Sequence, residues 1–359
     1  MSKWEDSIFG KVTKQDWLDI GSQVPVRQND PIDGLFGDEK TDNLVAYWQT
    51  IASEYGIPVM AQFHGFDTEA QKTFRIPIDT HNIEKGLIKV KINQSERLRA
   101  LNRSGVQGDE ALYDYVMQDG IRLADQVITR TKVAKNELMA TGQVTINENN
   151  LDLTVDYGIA NDQKNLEVDV TAASADPMED IQTIIDSALA KGVIITGLMT
   201  SKKVLSKLRK NAALQKAING NVGAGALISN AALQAFLSDE FGINTIITND
   251  LTYGASASID GSTGRPSITT KRYFPEAGMT FFAANPNGRL GVGLWGDSPE
   301  ADAGAFYDVE GSGVSPYVYI MQWMESDPAV LWTKASALFM PVLYNPTSLW
   351  IAEAKDEGA

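Results

Sequence analysis

From Asp109 to Gly142 the apolar residues Leu112, Val116, Leu123, Val127, Ala134 and Leu138 recur in steps of four and seven. At about 100° per residue they share one narrow stripe of an α-helix. Asp114, Gln118, Asp125, Thr129, Lys132 and Asn136 fall on the opposite face. The run predicts a helix of roughly 30 residues, about 45 Å long. Gly120 is tolerated inside it at a cost of about 1 kcal/mol relative to alanine, and Gly142 stands where a left-handed C-cap belongs. Gln143–Ile146 and Leu151–Val155 then alternate as strands. A long helix with one exposed face, feeding directly into strands, is a structural beam rather than a catalytic device.

The rest of the chain divides around that beam. Residues 1–43 are polar and turn-rich and read as an extended arm. A short helix is expected over Asn43–Tyr55, closed by Gly56 and Pro58. Phe74–Asp79 and Ile88–Ile92 alternate strictly on either side of a turn at Asn82–Gly86, which predicts a hairpin. Its apolar row is Phe74, Ile76, Ile78, Ile88, Val90 and Ile92, and Pro77 marks an edge strand. A two-stranded hairpin is marginal alone in water, so this row must dock on its own domain or on a neighbouring copy.

A compact α/β region opens at Ala173. Asp176 suits the N-cap, Pro177 the first helical position and Glu179 the third. Ile181, Ile184, Ile185, Ala188 and Leu189 form the buried stripe, and Gly192 ends the helix. A strand over Val193–Met199, a basic helix over Ser201–Asn211, a helix over Asn230–Phe241 stopped by Gly242, and a strand over Asn244–Thr248 follow. Thr252–Pro266 reads as a Gly/Ser-rich loop and Met279–Ala284 as a strand. Tyr317–Trp323, Val330–Leu343 and Ser348–Ala352 return to β structure. No internal repeat recurs at a fixed period.

Composition adds limits. The 359 residues have room for two or three domains, and 43% hydrophobic with 21% charged residues is the balance of a globular chain. Cysteine is absent, so disulfides and thiolate chemistry are unavailable. Met1–Asp6 lacks the basic and apolar segments of a signal peptide. Runs such as Ala337–Leu343 fall far short of the ~18 apolar residues that span a bilayer. A soluble protein of the cytoplasm with no membrane partner is expected.

The formal net charge of -15 argues against a surface built to grip nucleic acid. That charge is uneven. No acidic residue lies between Ser187 and Ser238, where Lys191, Lys202, Lys203, Lys207, Arg209, Lys210 and Lys216 occur. No basic residue lies between Leu290 and Thr333, where Asp297, Glu300, Asp302, Asp308, Glu310, Glu325 and Asp327 occur. These are either two solvated faces or complementary patches, with Lys202, Lys203 and Lys207 meeting Asp297 and Glu300 of a neighbouring subunit.

Candidate chemistry is sparse. Gly291–Gly296 has G-x-G-x-x-G spacing, but a dinucleotide site needs a helix to open there, and the acidic Asp297-Ser298-Pro299-Glu300 follows instead. Asn219–Ala226 lacks the Lys-Ser/Thr ending of a phosphate loop and reads as a flexible turn. His64 and His81 have no metal-ligand spacing, and Asp30 and Asp33 before Gly34 do not keep that of a calcium loop. No catalytic residue, cofactor or metal is implied.

Two stretches carry a family signature. Asn136–Ile146 (NELMATGQVTI) runs on to Val155-Asp156-Tyr157-Gly158, and Ser336–Pro346 (SALFMPVLYNP) lies near the end of the sequence. With the arm–hairpin–beam–lobe layout, the chain resembles the lambda-type major head protein family of tailed phages. The resemblance implies an α+β subunit of the tailed-phage capsid fold, assembled into an icosahedral shell around packaged double-stranded DNA. It implies an N-terminal arm and short helix (1–63), an extended hairpin loop (64–100), a spine helix with peripheral-domain strands (101–175), an axial domain (176–312) and returning peripheral strands (313–359). Pentamers and hexamers of itself, a separate scaffolding protein, a portal and a decoration protein are the implied partners, in the virion after assembly in a host cytoplasm. DNA would be contained without sequence-specific binding. A non-viral compartment shell of the same fold is the alternative.

Overall fold

In a computed structural model, residues 30–51, 78–94, 109–148, 151–171, 175–220, 226–259, 266–300, 313–315, 317–327 and 329–355 are described. From Asp30 the chain makes one helical turn, α1 (Ile32–Leu35), and strands β1 (Phe36–Lys40) and β2 (Val45–Ile51). Strands β3 (Ile78–Glu84) and β4 (Gly86–Gln94) precede the long helix α2 (Asp109–Thr141) and a ribbon of β5 (Gln143–Glu148) and β6 (Leu151–Asp156). Then come β7 (Leu166–Asp169), α3 (Pro177–Ala190), β8 (Gly197–Thr200), α4 (Lys202–Leu208), α5 (Ala212–Asn219), α6 (Asn230–Phe241) and β9 (Thr245–Thr248). A hairpin of β10 (Thr252–Ile259) and β11 (Pro266–Arg272) leads to β12 (Gly278–Phe282) and β13 (Gly291–Gly296). The last strands are β14 (Gly313–Ser315), β15 (Val318–Ser326), β16 (Ala329–Leu343) and β17 (Leu349–Lys355).

Two sheets organise these elements. One runs β7-β17-β12-β8-β9, and the other β1-β13-β16-β15-β14 with β4 also paired to β16. Side chains of a strand alternate between faces, and in the first sheet this alternation feeds two separate cores. Leu198, Met279, Phe281, Trp350 and Ala352 face helices α3 to α6. Met199, Phe282, Leu349 and Ile351 face the other way, into a core shared with α2 and the second sheet. Helix α2 therefore lies between the two sheets. Leu123, Val127, Leu138 and Met139 are buried there, and the Thr280 hydroxyl of β12 donates to Met139 O at 2.8 Å.

Helix ends follow local chemistry. Gly142 takes φ 72° and its N–H reaches Leu138 O at 2.8 Å, the expected left-handed cap. Asp176 caps α3, Ser201 caps α4, Asn211 caps α5 and Ser229 caps α6, each through its side-chain oxygen.

Several expectations are corrected. Val45–Ile51 is a strand, not part of a helix: its residues are strong β-formers, and β3 offers an antiparallel partner in register Val45↔Glu84 to Ile51↔Ile78. Ile78 and Asp79 do not form a hairpin with Ile88–Ile92. Ile78 belongs to β3, paired with β2, whereas Ile88–Ile92 lies in β4, paired with β16. Residues 74–77 lie outside the described residues. Thr252–Pro266 is not simply a loop, since its two ends are strands; Gly254 lets the Ile268 side chain approach the backbone. Gly291–Gly296 is a buried strand. Leu189 ends α3 half exposed, Asn136 is fully buried rather than solvent-facing, and the strand expected from Val193 begins only at Gly197. The last strand, β17, joins the first sheet beside β7 and β12 instead of returning with β15 and β16.

Val127 is fully buried where α2 meets this shared core. Val127→Asp places an unpaired carboxylate there and should cost about 3–5 kcal/mol, leaving most of the chain insoluble on expression. A soluble variant with an unchanged melting temperature would show that this part of the helix is not packed.

Candidate functional site

Side chains far apart in sequence close a buried hydrogen-bonded triangle beside α2. Asp30 Oδ2 accepts from Asn136 Nδ2 at 2.9 Å, and Asp30 Oδ1 accepts from Asn249 Nδ2 at 3.0 Å. Asn249 Nδ2 also donates to Asn136 Oδ1 at 2.9 Å. The triangle joins the start of the described chain, the helix and the connection from β9 to β10. Burial pushes the Asp30 carboxyl above its ordinary range, against hydrogen bonds from Ile32 N and Asn136.

One residue along, Lys135 enters the same junction. Its Nζ donates to Asp38 Oδ1 at 2.9 Å, Phe36 O at 3.2 Å and Asp33 Oδ1 at 3.3 Å. Lys132 pairs with the other Asp33 oxygen at 3.2 Å, and Trp295 Nε1 donates to Asp38 Oδ1 at 2.9 Å. The Gly291–Gly296 spacing has its explanation here. A Cβ on Gly293 would lie 2.6 Å from Asp38 Oδ1 and 3.0 Å from Lys135 Cε, and one on Gly291 would lie 2.1 Å from Val342 O. These glycines admit the ion pair and a neighbouring strand, not a phosphate.

A second set of charges lies past the end of β13. Lys85, alone between β3 and β4, is buried and donates to Thr41 O, Thr41 Oγ1 and Trp295 O at 2.8, 2.7 and 2.9 Å. Burial pushes its ammonium down, against the pull of Asp297 and Asp42. Asp297 pairs with Lys40 at 2.6 Å. Glu300 stands between Lys334 at 2.6 Å and Lys89 at 2.9 Å. Burial raises the Glu300 pKa, but hydrogen bonds from Lys334 and Lys89 outweigh it and hold the carboxyl at about 2. Both pairs use Glu300 Oε1 and leave Oε2 buried without a hydrogen-bond partner among the described residues, and together these groups tie β1, β4, β13 and β16 to one another. Among the described residues no cluster of His, Cys, Asp or Glu could hold a metal ion, and no helix is long and apolar enough to cross a membrane.

The sequence matches the family described as phage major capsid protein E over residues 64–354. The chain belongs to that family. It is a structural protein of a capsid shell, a component of the virion that assembles with copies of itself. Its fold is similar to that of a phage-related protein from Bordetella bronchiseptica RB50, at 12% identity over 95% of this chain and 98% of that one, with a TM-score of 0.54. It is also similar to a candidate capsid protein of a prophage in E. coli CFT073, at 12% identity over 94% and 97%, with a TM-score of 0.53. No curated protein sequence matches it.

For a capsid protein the surfaces that meet other copies are the functional ones, and the fold rearranges the expected candidates. Ile88 and Val90 are half-buried against the subunit's own core, opposite Ala337 and Ala335 of β16, while Ile92 is 37% exposed. Phe74 and Ile76 lie outside the described residues, and for Ile78 only the backbone is described. Lys202 and Lys203 are exposed at the start of α4, and Lys203 pairs with Glu276 at 2.9 Å. Asp297 and Glu300 do not share a lobe with these lysines. They follow β13 in the second sheet and are engaged by Lys40, Lys89 and Lys334. The sequence reading missed Lys85 and Lys135 because a lone lysine in a strand or helix pattern normally marks a solvated face.

Two outcomes follow. Gly293→Ala should destabilise the subunit by about 1–3 kcal/mol, the usual cost of overpacking, read as a lowered urea midpoint; an unchanged midpoint would mean the Asp38–Lys135 pair yields freely. Glu300 titrates lower in the folded subunit than its ordinary 4.5, so its contribution is complete above about pH 5 and fades as pH falls toward 2. Glu300→Gln should therefore cost about 1–3 kcal/mol at pH 7 and almost nothing at pH 2. A cost independent of pH would remove the ion pairs as its cause.

Proposed function

We propose that this chain is the major head subunit of a tailed phage, closing through pentamers and hexamers into an icosahedral shell around packaged double-stranded DNA. The family match over residues 64–354 carries the reading. The net charge of -15 supports a container that holds DNA without gripping it. In this reading α2 and the sheet of β1, β13, β16, β15, β14 and β4 form the peripheral part, and β7 to β9 with α3 to α6 form the axial lobe. A separate scaffolding protein, a portal and a decoration protein are its partners, and assembly takes place in the host cytoplasm.

The contacts between copies are assigned by exposure and charge. Lys202, Lys203 and Lys207 give α4 a basic face, and Glu179 and Asp186 stand exposed on α3. A heterologous contact between such faces closes a ring of identical lobes, each ion pair adding only about 0–1 kcal/mol. The extended-loop residues Phe74, Ile76 and Ile78, with exposed Leu87 and Ile92 of β4, make the apolar contact with a neighbour.

Electron microscopy of the expressed protein, alone and with its phage's scaffolding protein, should show closed shells; open sheets or monomers in both preparations would overturn the reading. Lys202→Glu with Lys210→Glu should leave the subunit's melting temperature within about 2 °C, because exposed charges contribute little to stability. Ring formation at low salt should nevertheless be lost. Assembly at the wild-type rate would exclude the basic face as a contact.

A further inference from the structure

The β10–β11 hairpin stands apart from the two large sheets. It pairs with no other strand among the described residues, and a hollow of about 870 Å³ lies between it and α2. A two-stranded ribbon is marginal by itself in water, and three or more strands make a stable sheet. Ser267, Ile268, Thr269 and Thr270 of β11 are all exposed, Ile268 to 61%.

The open edges of this hairpin lack the usual guards. Natural edge strands carry lysine or another charge that discourages a further strand. β4 and β6 also have an unpaired edge among the described residues, and they carry Lys89 and Lys91, Asp152 and Asp156. Thr252–Ile259 and Pro266–Thr270 contain no charged residue, in a chain of which 21% is charged. Of the two edges, that of β11 is the regular one, because β10 has a register shift between Gly254 and Ser256.

Neutrality also selects the occupant. An icosahedral shell of identical subunits has two-fold axes, and a surface on such an axis meets its own copy. With a net charge of -15 per chain, a charged surface repels itself there and an uncharged strand does not. Direction follows from the two charges that end the strand. Lys271 and Arg272 would face their own counterparts in a parallel pair, whereas antiparallel pairing sends them to opposite ends.

We propose that β11 is a contact between two copies of this chain, pairing antiparallel with the same strand of the second copy about a two-fold axis at Thr269, the middle of the strand. Ile268 then lies opposite Thr270 of the partner subunit, and the two hairpins become one four-stranded sheet. The axis is that of the icosahedral shell proposed above, on which this contact rests.

Because the chain has no cysteine, single variants report the contact cleanly. Thr269→Cys faces itself across the axis, within the ~7 Å between Cα atoms that a disulfide tolerates. Lys271→Cys stands four residues from its counterpart, about 14 Å along the strand. Full-length Thr269→Cys protein, oxidised mildly after assembly and run without reductant, should give at least about tenfold more disulfide dimer than Lys271→Cys. Equal yields, or no dimer from Thr269→Cys, would overturn the contact. Electron microscopy of the same preparations separates the two readings: closed shells without the dimer overturn the contact alone, and the dimer without closed shells keeps the contact and counts against the shell. Thr269→Lys gives a second readout, since it sets like charges opposite each other. Its assembly at about 50 mM salt should fall at least about fivefold and recover at about 1 M salt, where the Debye length is about 3 Å. Unchanged assembly at low salt, or a loss that high salt does not reverse, would also overturn the contact.

Discussion

Lys135, less than two turns from the C-terminal end of the long helix, carries an ammonium group with only 2% of its side chain exposed. A charge taken out of water costs several kcal/mol unless it is paired and hydrogen-bonded. Here Asp38, Asp33 and the Phe36 carbonyl supply that pairing. The consequences spread outward. Residues 30–40 must run beside the helix to deliver the partners, Trp295 orients Asp38, and β13 carries glycine at position 293 because any larger residue would collide with the pair. A single buried cation thus dictates where the N-terminal segment, the helix and the second sheet meet.

The helix also connects the two halves of the subunit mechanically. The five-stranded sheet is a wall between two cores, and its even and odd positions belong to different ones. The core on the α2 side is continuous with the second sheet through Phe339, Leu343 and Trp295. Displacing the α/β lobe would strip apolar surface from α2 and break the Asn249–Asp30–Asn136 triangle at once. The lobe and the second sheet are thus joined through packed side chains and buried hydrogen bonds.

The charge distribution acquires a different meaning once folded. The first residues of the acidic block, Asp297 and Glu300, are spent inside the subunit on Lys40, Lys89 and Lys334. The basic block lies on the helical layer of the α/β lobe, and Lys202, Lys203, Lys210 and Lys216 keep exposed side chains there. The two blocks therefore differ in kind, one a set of internal clamps and the other a face turned to solvent.

What the sequence determined by itself was whatever depends on neighbours within a turn or two. The span of α2 and its Gly142 cap, the Asp176-Pro177 start of α3, the Gly242 stop of α6 and the paired strands after the helix all follow from spacing and capping chemistry. The family signature at Asn136–Ile146 and Ser336–Pro346 was legible too. Only the tertiary structure decided the partners. Alternation in 74–92 identifies strands but not what they pair with, because a period of two is the same whichever strand lies alongside. Val45–Ile51 became a strand because β3 was available to it. Asn136 and Lys135 went inside because Asp30, Asp38 and Asn249 arrive from more than 90 residues away. Burial of a polar group is settled by its partners, and long-range partners leave no local trace in a sequence.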